Sequence, residues 1–548
     1  MVKRNRLFLL LTVLVLALLM AAPTMAQEGS SITVLYPQEL DTLNSMYTNM
    51  FFTTINNDLF LSPVWSFDDQ LQPVPVLVTE IPSVENGGVS EDGTVITMTL
   101  RDDITWSDGE PITSADYLFR VEMLQNPANL VSGTYPFGVD DGIVSSVEAP
   151  DERTIVVTFA EPFAPWLTNI NLYPLPEHAL RPVFEAEGTL DNAAWNRAPD
   201  PVSGPYAFAE WEIGSFIRFV RNENYWGTAP AIEEVILSFV PDSDAYLATL
   251  LNDEAEIGTF LDWSQLSQVE ESGLFQVVIA TSGYNEQWNI NLSPETGHPA
   301  LQDVRVREAL ALGFDRPGLT AELLDGLTYP PASPWEGTPF QSPNLSAPPY
   351  DPERAAALLD EAGWVDSNGD GTRDLDGTEL VLRFVTNTRG IRSDTFALAQ
   401  QDFAEIGIGL ELITYESDIF FGSYSEGGPV AIGDYDIAQW SQTTQFPDPN
   451  TSIFLCGQIP TPDAPDGNNY RSYCNEEVDA LFEEANRTTD LEARTALFHQ
   501  ISELIAQDFV YIGIWYDADN WEISNRIENV RINALYPFWN VTEWTLSE

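Results

Sequence analysis

The sequence predicts an α/β protein of two lobes that hold a ligand between them. With 548 residues, the chain is long enough for more than one hydrophobic core. Leu380–Thr386 and Gly409–Tyr415 have the composition of strands, and Thr395–Ile406 between them has the apolar spacing of a helix. This strand–helix–strand order is typical of an α/β lobe. A second observation, in residues 284–319, predicts where the chain passes from one lobe to the other.

In this passage a strand is followed by a loop and then by a helix. Polar and apolar residues alternate in Tyr284–Leu292, and turn-forming residues follow in Ser293–Pro299. Asp303 is a suitable N-cap for the helix that comes next, and Pro317 and Gly318 are expected to end that helix. We therefore expect a strand to leave one lobe here and a new helix to open the other, with the ligand between them.

Residues 1–26 have the features of a secretion signal. Three cations precede an apolar run, Leu7–Met20, that is short for a membrane span, and residues 24–26 loosely fit a cleavage site. We expect export and cleavage after Ala26; a retained anchor helix is the alternative. Because no cysteine follows the apolar run, we do not expect a lipid anchor, and we place the protein in the periplasm or cell envelope, outside the cytoplasm.

The composition is that of a folded and very acidic protein. Hydrophobic residues make up 44% of the chain, and 84 Asp and Glu against 23 Lys and Arg give a formal net charge of -61. Such a charge keeps a protein soluble and repels nucleic acids and anionic membranes. We interpret it as adaptation to a saline or otherwise unusual habitat rather than as a cation-binding function.

The chain lacks the residues that several kinds of chemistry require. Lys3 is the only lysine, so the rest of the chain has neither a phosphate-binding Gly-Lys loop nor a lysine for a Schiff base. The histidines are His178, His298 and His499, and none has the spacing of a metal site or of a base beside a nucleophile. Phosphate-loop chemistry, lysine Schiff bases and histidine-based metal or nucleophile sites are therefore not expected in this chain.

Several separate motifs resemble one family. Asp303–Leu310 (DVRVREAL) with Phe314–Arg316 (FDR) is similar to the signature of the extracytoplasmic solute-binding proteins of ABC importers, in the peptide/nickel class, family 5, which includes oligopeptide- and dipeptide-binding proteins. Further segments resemble the same family: Gly204–Gly214, Arg221–Gly227, Glu353–Trp364 and Tyr473–Asp479.

The resemblance implies a two-lobed periplasmic-binding-protein fold of class II type, with an extra subdomain in the larger lobe. It implies a monomeric receptor that captures a small solute, a peptide or an oligosaccharide, and delivers it to the transmembrane subunits of an ABC permease. The expected division is residues 27–61, 201–292 and 515–548 for lobe one, 62–200 for the subdomain, and 293–514 for lobe two, with hinges near Leu292 and Trp515.

Some candidate ligand contacts follow from the resemblance and others from their position in the chain. In the family the loop after the first strand, Ser31–Pro37, reaches the cleft, which makes Tyr47, Thr48 and Asn49 candidates; a locally packed loop is the alternative. Arg389 and Arg392 are expected between a strand and a helix, where an arginine fork binds a carboxylate, unless they are surface arginines. Trp515 is expected to line the cleft from the hinge side or to pack in the core.

Residues 440–449 bear on the kind of solute. In this region, peptide-binding members of the family carry a motif similar to Gly-Trp-x-x-Asp-x-x-Asp-Pro. The first Asp of that motif pairs with the amino group of the peptide. Here Trp440 is kept, Thr443 stands in place of that Asp, and two extra residues precede Asp448. We therefore expect no charge for a free amine at this position. A neutral solute such as a sugar would suit four residues better: Trp440, Gln442, Thr443 and Thr444.

Residues 366–374 resemble a calcium-binding loop. Oxygen-bearing side chains occupy alternate positions and a glycine is the sixth residue, but Gly377 stands where the bidentate carboxylate belongs. The candidate ligands of a structural calcium are Asp366, Asn368, Asp370, Thr372 and Asp374; an Asx-rich turn without an ion is the alternative. No other cofactor is expected.

Cys456 and Cys474 are the only cysteines. In an exported chain, two cysteines favour a disulfide over a reduced, buried pair.

Two alternative functions remain open at this stage. An exported glycoside hydrolase would need two carboxyl groups across one bond, and the abundant acidic residues neither support nor exclude such a pair. A receptor for a metal chelate is the other alternative, against which the three scattered histidines argue.

Overall fold

A computed structural model describes residues 30–48, 50–138, 142–422, 424, 427–443, 448–449, 451–465 and 467–547, without the side chains of residues 281–283, 418, 443 and 518. The predicted signal, residues 1–26, lies outside this part of the chain, as do Asn49 and Thr444. In the described ranges no helix is both long and apolar enough to cross a membrane.

Nineteen strands are described, numbered in chain order. They are β1 Ser31–Tyr36, β2 Trp65–Phe67, β3 Pro73–Pro75, β4 Val95–Thr99, β5 Val144–Asp151, β6 Thr154–Phe159, β7 Tyr206–Glu212, β8 Phe216–Arg221, β9 Glu234–Phe239, β10 Ile257–Thr259, β11 Phe275–Ile290, β12 Asp374–Leu375, β13 Thr378–Glu379, β14 Val381–Asn387, β15 Gly409–Tyr415, β16 Ile437–Thr443, β17 Tyr511–Ser524, β18 Ile527–Glu528 and β19 Thr545–Leu546.

The α-helices are Phe51–Thr54, Asn57–Phe60, Ser114–Gln125, Trp166–Asn169, Glu177–Glu187, Ser243–Leu251, Trp263–Ser272, Val304–Leu312, Arg316–Leu323, Pro352–Ala362, Gly390–Glu405, Ser417–Phe420, Glu476–Arg487 and Leu491–Asp508. Short 3-10 turns occur at Ala194–Asn196, Pro299–Gln302, Cys456–Gln458 and Val541–Glu543.

One sheet of ten described strands runs through the whole molecule, in the order β15-β14-β16-β11-β17-β10-β1-β9-β8-β7. The first lobe contains β10, β1, β9, β8 and β7, and the second contains β15, β14 and β16. The two central strands, β11 and β17, belong to both lobes. Residues Phe275–Thr281 of β11 pair with one end of β17, and Tyr284–Ile290 pair with β16 and the other end of β17. This antiparallel pair, the crossing ribbon, is therefore what joins the lobes.

The crossing ribbon is longer than its sequence pattern indicates. The predicted strand Tyr284–Leu292 corresponds to the second half of β11, which runs from Phe275 to Ile290. β17 continues to Ser524 through polar residues that include Asp517, Asp519, Asn520 and Glu522. These residue types are rare in strands, but pairing on both sides overrides intrinsic preference in a central strand. A bulge leaves Ser282 and Gly283 of β11 without partners in β17, and a bulge bends a strand locally.

The first lobe and the residues expected to form a subdomain share one core. The small antiparallel sheet β4-β6-β5 contributes Ile96 and Val157, which belong to the same buried apolar cluster as Val34 of β1 and Val235 of β9. The helix Ser114–Gln125 covers this sheet. At its start, Thr113 Oγ1 accepts from the Ala115 backbone N–H and Asp116 Oδ2 accepts from the Thr113 backbone N–H, as in a capping box. The predicted boundaries of the lobes and subdomain stay predictions.

The second lobe contains the predicted strand–helix–strand unit. β14 and β15 are parallel and are joined by the helix Gly390–Glu405. The α/β prediction for this lobe is confirmed, but the helix begins at Gly390 and not at Thr395. Arg392 therefore lies in the first helical turn, and its predicted position in a loop is wrong.

The helix after the crossing begins as predicted but ends earlier. Asp303 caps Val304–Leu312 by accepting a hydrogen bond from the Arg305 backbone N–H, and Gly313 ends the helix. Pro317 and Gly318 do not end it. They lie in the first turn of the next helix, Arg316–Leu323, where a proline is tolerated because its missing N–H has no intrahelical partner.

Two cysteines of the second lobe are bonded to each other. The sulfur atoms of Cys456 and Cys474 are 2.10 Å apart, across a sequence separation of 18. In the chain-entropy account, closing so short a loop contributes about 3 kcal/mol to the free energy of unfolding.

Glu522 of β17 is a buried carboxyl group with no hydrogen-bond partner among the described residues. It lies between Gly258 and Val277 of the neighbouring strands, and a Cβ atom at Gly258 would lie 2.7 Å from Glu522 Oε2. Burial raises the pKa of Glu522 to about 8. The folded protein therefore keeps this carboxyl protonated at a pH where the unfolded chain, with a pKa of about 4.3, releases the proton.

We expect Glu522→Gln to change the pH dependence of stability. Between the two pKa values the folded wild type binds one more proton than the unfolded chain, so its stability falls as pH rises through this window, by at most roughly 1.4 kcal/mol per pH unit. The neutral amide removes this loss. In urea unfolding at pH 5 and pH 8, the stability of the variant relative to wild type should be higher at pH 8. An equal difference at both pH values would contradict the assignment.

Candidate ligand-binding cleft between the lobes

A cleft of about 310 Å³ lies beside the crossing ribbon. Both lobes and both strands of the ribbon contribute to its walls. The lining residues are Gln38, Phe51, Phe52, Phe260, Leu261, Asp262, Trp263, Tyr284, Arg389, Ser441, Asp517, Asp519 and Asn520.

One wall of the cleft is aromatic. The rings of Phe51, Phe52 and Phe260 pack edge to face, with centroids 5.1–5.8 Å apart. Tyr284 of β11 joins the group, with its ring centroid 5.9 Å from that of Phe51. Edge-to-face packing holds these rings in place, so the wall is a rigid apolar surface for part of a ligand.

The crossing ribbon supplies two carboxyl groups. Asp517 and Asp519 of β17 line the cleft, and Asp519 is only 7% exposed, with no hydrogen-bond partner for its Oδ2 atom among the described residues. Burial raises the pKa of Asp519 well above its usual range, and the neighbouring Asp517 raises it further, against the opposing effect of Arg389. Asn520 instead holds the backbone of Leu261 through two hydrogen bonds of 2.9 Å.

A chain of polar groups, buried at Glu286 and Arg392 and half-buried at Ser441 and Asp517, connects β17 with the second lobe. Ser441 Oγ contacts Asp517 Oδ2 and lies 2.6 Å from Glu286 Oε2. Arg392 donates to both oxygens of Glu286, at 2.7 and 2.8 Å. A serine hydroxyl carries one proton, so Ser441 donates to one carboxylate, and the other carboxyl must itself donate to Ser441 Oγ.

The electrostatics indicate which carboxyl carries the extra proton. Burial opposes ionisation of Glu286, but attraction and hydrogen bonding by Arg392 outweigh it, and the pKa of Glu286 is lowered. Burial raises the pKa of Asp517, and the charge of Glu286 raises it further. A proton shared within this group is therefore held by Asp517 in preference to Glu286, which pairs with Arg392.

Among the predicted ligand contacts that the structure describes, Arg389 is the one that lines the cleft. It precedes the helix Gly390–Glu405 as its N-cap, and its side chain is exposed. With the described residues it forms no ion pair, although it lies close enough to Asp517 and Asp519 to oppose their raised pKa values. Arg392 is placed differently, because the residue is 4% exposed and its guanidinium donates to Glu286 and to Asn387.

Two further residues that were predicted to contact the ligand, Tyr47 and Thr48, form hydrogen bonds outside the cleft. The Tyr47 hydroxyl lies 3.4 Å from Asn129 Oδ1, and Thr48 Oγ1 accepts a hydrogen bond from the Met50 backbone N–H. Neither residue is part of the cleft lining. Asn49 lies outside the described residues, so its predicted contact stays a prediction.

The residues predicted around Trp440 are not part of the cleft lining either. Trp440 is 4% exposed and packs with Phe420 and Tyr435, and its indole N–H donates to Gln442. Trp515 is 2% exposed and donates its indole N–H to Asp517 Oδ1 at 2.6 Å, so it supports a residue of the lining. Of Thr443 only the backbone, in β16, is described, and Thr444 lies outside the described residues.

The predicted calcium loop has the hydrogen bonds of its alternative, an Asx-rich turn. Both carboxylate oxygens of Asp366 accept backbone N–H groups, from Gly369 and Gly371, and Ser367 donates to Asp374. Asp370 Oδ1 accepts the Thr372 backbone N–H, and Oδ2 accepts from Asn368. In the described ranges no group of three or more His, Cys, Asp or Glu could hold a metal ion.

Most of the lining was missed by reasoning from the sequence. Asp517 and Asp519 carried a signal, since these two acidic residues follow the apolar run that ends at Tyr516, with Trp515 at the same two-residue spacing. The aromatic wall carried none, because Phe51 and Phe260 are distant in sequence and only the fold brings them together.

In comparison with known proteins, the chain matches one family model. Residues 72–458 match the model described as "Bacterial extracellular solute-binding proteins, family 5 Middle". The chain is 25% identical over 540 residues to the oligopeptide-binding protein AppA of Bacillus subtilis, covering 95% of this chain and 92% of the relative.

Solved structures show the same fold. AppA from Bacillus subtilis in complex with a nonapeptide aligns with a TM-score of 0.75 at 22% identity, covering 95% of this chain and all of that one. NikZ from Campylobacter jejuni in complex with Ni(L-His) aligns with a TM-score of 0.76 at 22% identity, covering 94% and 99%. The predicted two-lobed α/β fold is confirmed.

We expect Arg392→Met to destabilise the protein by about 3–5 kcal/mol, because it leaves the charge of Glu286 buried without its partner. The double variant Glu286→Gln, Arg392→Met removes both charges and should recover part of this loss. Urea unfolding of the wild type, the single variants and the double variant measures the coupling. Additive effects of the two substitutions would contradict the pairing.

Proposed function

Because the chain belongs to family 5 of the bacterial extracellular solute-binding proteins, we propose that it captures a peptide between its lobes and delivers it to the membrane subunits of an ABC importer. The proposal includes export through the signal in residues 1–26, cleavage after Ala26, and function as a monomer in the periplasm or cell envelope.

The observation that carries the proposal is the composition of the cleft walls. Phe51 and Phe260 come from the first lobe, Arg389 and Ser441 from the second, and Asp517 from the crossing ribbon. A solute in this cleft contacts both lobes, so it binds more tightly when they approach each other. Only such a difference in affinity shifts the population toward a closed state that a permease can recognise.

A peptide suits the chemistry of these walls. The aromatic wall offers apolar contact, Arg389 can bind a carboxylate, and Asp519 offers an oxygen to a donor group. A volume of about 310 Å³ is at the lower end of the usual range for small-molecule sites, which favours short peptides. Relatives support this reading, since one is named an oligopeptide-binding protein and one solved structure contains a nonapeptide.

A metal chelate, such as the Ni(L-His) in the structure of NikZ, suits this cleft less well than a peptide does. The histidines of this chain contact other groups: His178 lies 2.9 Å from Asp108, and His298 and His499 contact backbone carbonyls. None of the three lines the cleft. A catalytic step is not part of the proposal, because the family consists of binding proteins.

We expect short peptides to raise the melting temperature of the mature protein. A ligand at 100 times its Kd adds about 2.7 kcal/mol to the free energy of unfolding. The measurement is a thermal-shift screen with Leu-Ala, Leu-Ala-Leu and Leu-Ala-Leu-Ala, compared with maltotriose and with nickel and L-histidine. Stabilisation by maltotriose or by the nickel chelate alone would contradict the peptide proposal, and turnover of chromogenic glycosides would show an enzyme instead.

A further inference from the structure

We propose that the interior of the second lobe binds a chloride ion through the guanidinium groups of Arg471 and Arg316 and the hydroxyl group of Tyr511. None of these three residues lines the cleft between the lobes. The anion site is therefore separate from the peptide site, and each proposal stands if the other fails.

The first observation is that Arg316 and Arg471 are buried without a carboxylate partner. Each is 1% exposed, and in the described ranges their hydrogen bonds go to backbone carbonyls. The acceptors are the carbonyls of Ala311, Gly513 and Pro348 for Arg316, and that of Ile453 for Arg471. A carbonyl satisfies an N–H group, but it carries no net charge and leaves the cation uncompensated.

Other buried arginines of the same lobe are treated differently. Arg392 pairs with Glu286 at 2.7 Å, and Arg494 pairs with Asp448 at 2.8 Å. Moving a cation out of water is costly unless an anion accompanies it. The fold supplies that anion for Arg392 and Arg494, so the anion for Arg316 and Arg471 is expected to come from solution.

The second observation is a set of hydrogen-bond donors that share one deficiency. Arg471 Nε and Nη2, Arg316 Nε and the Tyr511 hydroxyl are buried, and within the part of the chain that the structure describes they have no hydrogen-bond partner. Buried N–H and O–H groups are nearly always hydrogen-bonded. Since these groups all donate, an acceptor satisfies them, and a guanidinium edge with two free N–H groups suits an anion.

Tyr511 is the neighbour that both arginines share. Burial and the nearby Glu336 raise the pKa of Tyr511 well above its usual value, and Arg471 and Arg316 are close enough to oppose this shift. The hydroxyl therefore keeps its proton and remains a donor. Tyr511 lies in β17 opposite Asn289 of β11, so the site lies against the crossing ribbon within the second lobe.

The charges near Tyr511 indicate a monovalent anion. Burial lowers the pKa values of Arg316 and Arg471 to about 10, so both remain cations at neutral pH. Glu336 is the carboxylate that acts on Tyr511, and it accepts hydrogen bonds from the Ala332 backbone and from Gln341. Two cations and this carboxylate leave one positive charge. Water can satisfy the free donors but not that charge, whereas a monovalent anion does both.

The surroundings also limit the size of the anion. Tyr511 is 7% exposed, and the guanidinium of Arg471 lies over the ring of Phe454, 4.8 Å from its centroid. The ring covers one face of the guanidinium, so an acceptor reaches the N–H groups in the plane of the guanidinium. With three contact residues this deeply buried, the site is enclosed. A monatomic ion fits such a site, and a phosphate ester or a peptide carboxylate does not.

Bromide tests the position of the ion, because it replaces chloride and scatters anomalously. Crystals of the mature protein are grown in sodium bromide, and diffraction is measured at the bromine absorption edge. We expect an anomalous peak in contact with the Arg471 guanidinium and the Tyr511 hydroxyl. Peaks confined to the protein surface would show adventitious ions only, and they would overturn the proposal, as would the absence of any peak.

Anion-dependent stability tests the assigned residues. Each protein is refolded from urea in mixtures of sodium chloride and sodium gluconate at constant ionic strength, and its melting temperature is measured. Gluconate is too large for an enclosed site. We therefore expect the melting temperature of the wild type to rise with the chloride fraction and to saturate. A melting temperature independent of that fraction would overturn the proposal.

The same titration of three variants separates the site from a general salt effect. Tyr511→Phe should raise the chloride concentration at half of the rise about tenfold, the effect of one hydrogen bond to a charged group, and Arg471→Met should raise it further. Arg354→Met removes an exposed arginine of the same lobe and should leave the midpoint unchanged. Tyr511→Phe should fold even where Arg471→Met does not, because it deletes only an unpaired hydroxyl. An unchanged midpoint in Tyr511→Phe would overturn the assignment.

Discussion

The pairing of β11 with β17 is the constraint on which the rest of the structure depends. These strands run through both lobes, so the sheet is continuous and yet changes partners along its length, from β10 in the first lobe to β16 in the second. The bulge at Ser282 and Gly283 interrupts the ladder at the crossing, where a sheet bends most easily. The cleft lies beside this point, and a change in bend would move its two walls relative to each other.

Polar groups of the crossing ribbon also link it to the second lobe. A continuous chain of polar contacts runs from the buried Arg392 and Glu286 to the half-buried Ser441 of β16 and Asp517 of β17. At one end, Arg392 and Glu286 satisfy each other. Beside the other end, one oxygen of Asp519 has no hydrogen-bond partner in the part of the chain that the structure describes. The ion pair and hydrogen bonds thus satisfy the polar groups that face the protein interior. At the cleft one carboxyl oxygen remains available, and a ligand there can supply the missing hydrogen bond.

Much of the fold could be predicted from the sequence, and little of the cleft. The helix cap at Asp303 and the strand pattern of β14 depend only on residues that are close in sequence. Such local features could therefore be predicted, and the structure contains them. The extent of β17 was missed because its polar residues oppose strand formation and only pairing with neighbouring strands overrides them. Arg389 was found from its place at a strand end. Phe51, Phe260 and Asp519 come together through non-local pairing, whose register no single segment specifies.

The central claim is that a solute in the cleft draws the two lobes together about the crossing ribbon. Small-angle X-ray scattering of the mature protein, with and without a saturating amount of the peptide that stabilises it most, tests this claim directly. We predict a smaller radius of gyration with the peptide, because a ligand that contacts both lobes favours the compact state. An unchanged radius of gyration at saturation would contradict it, since the solute would then bind without moving the lobes.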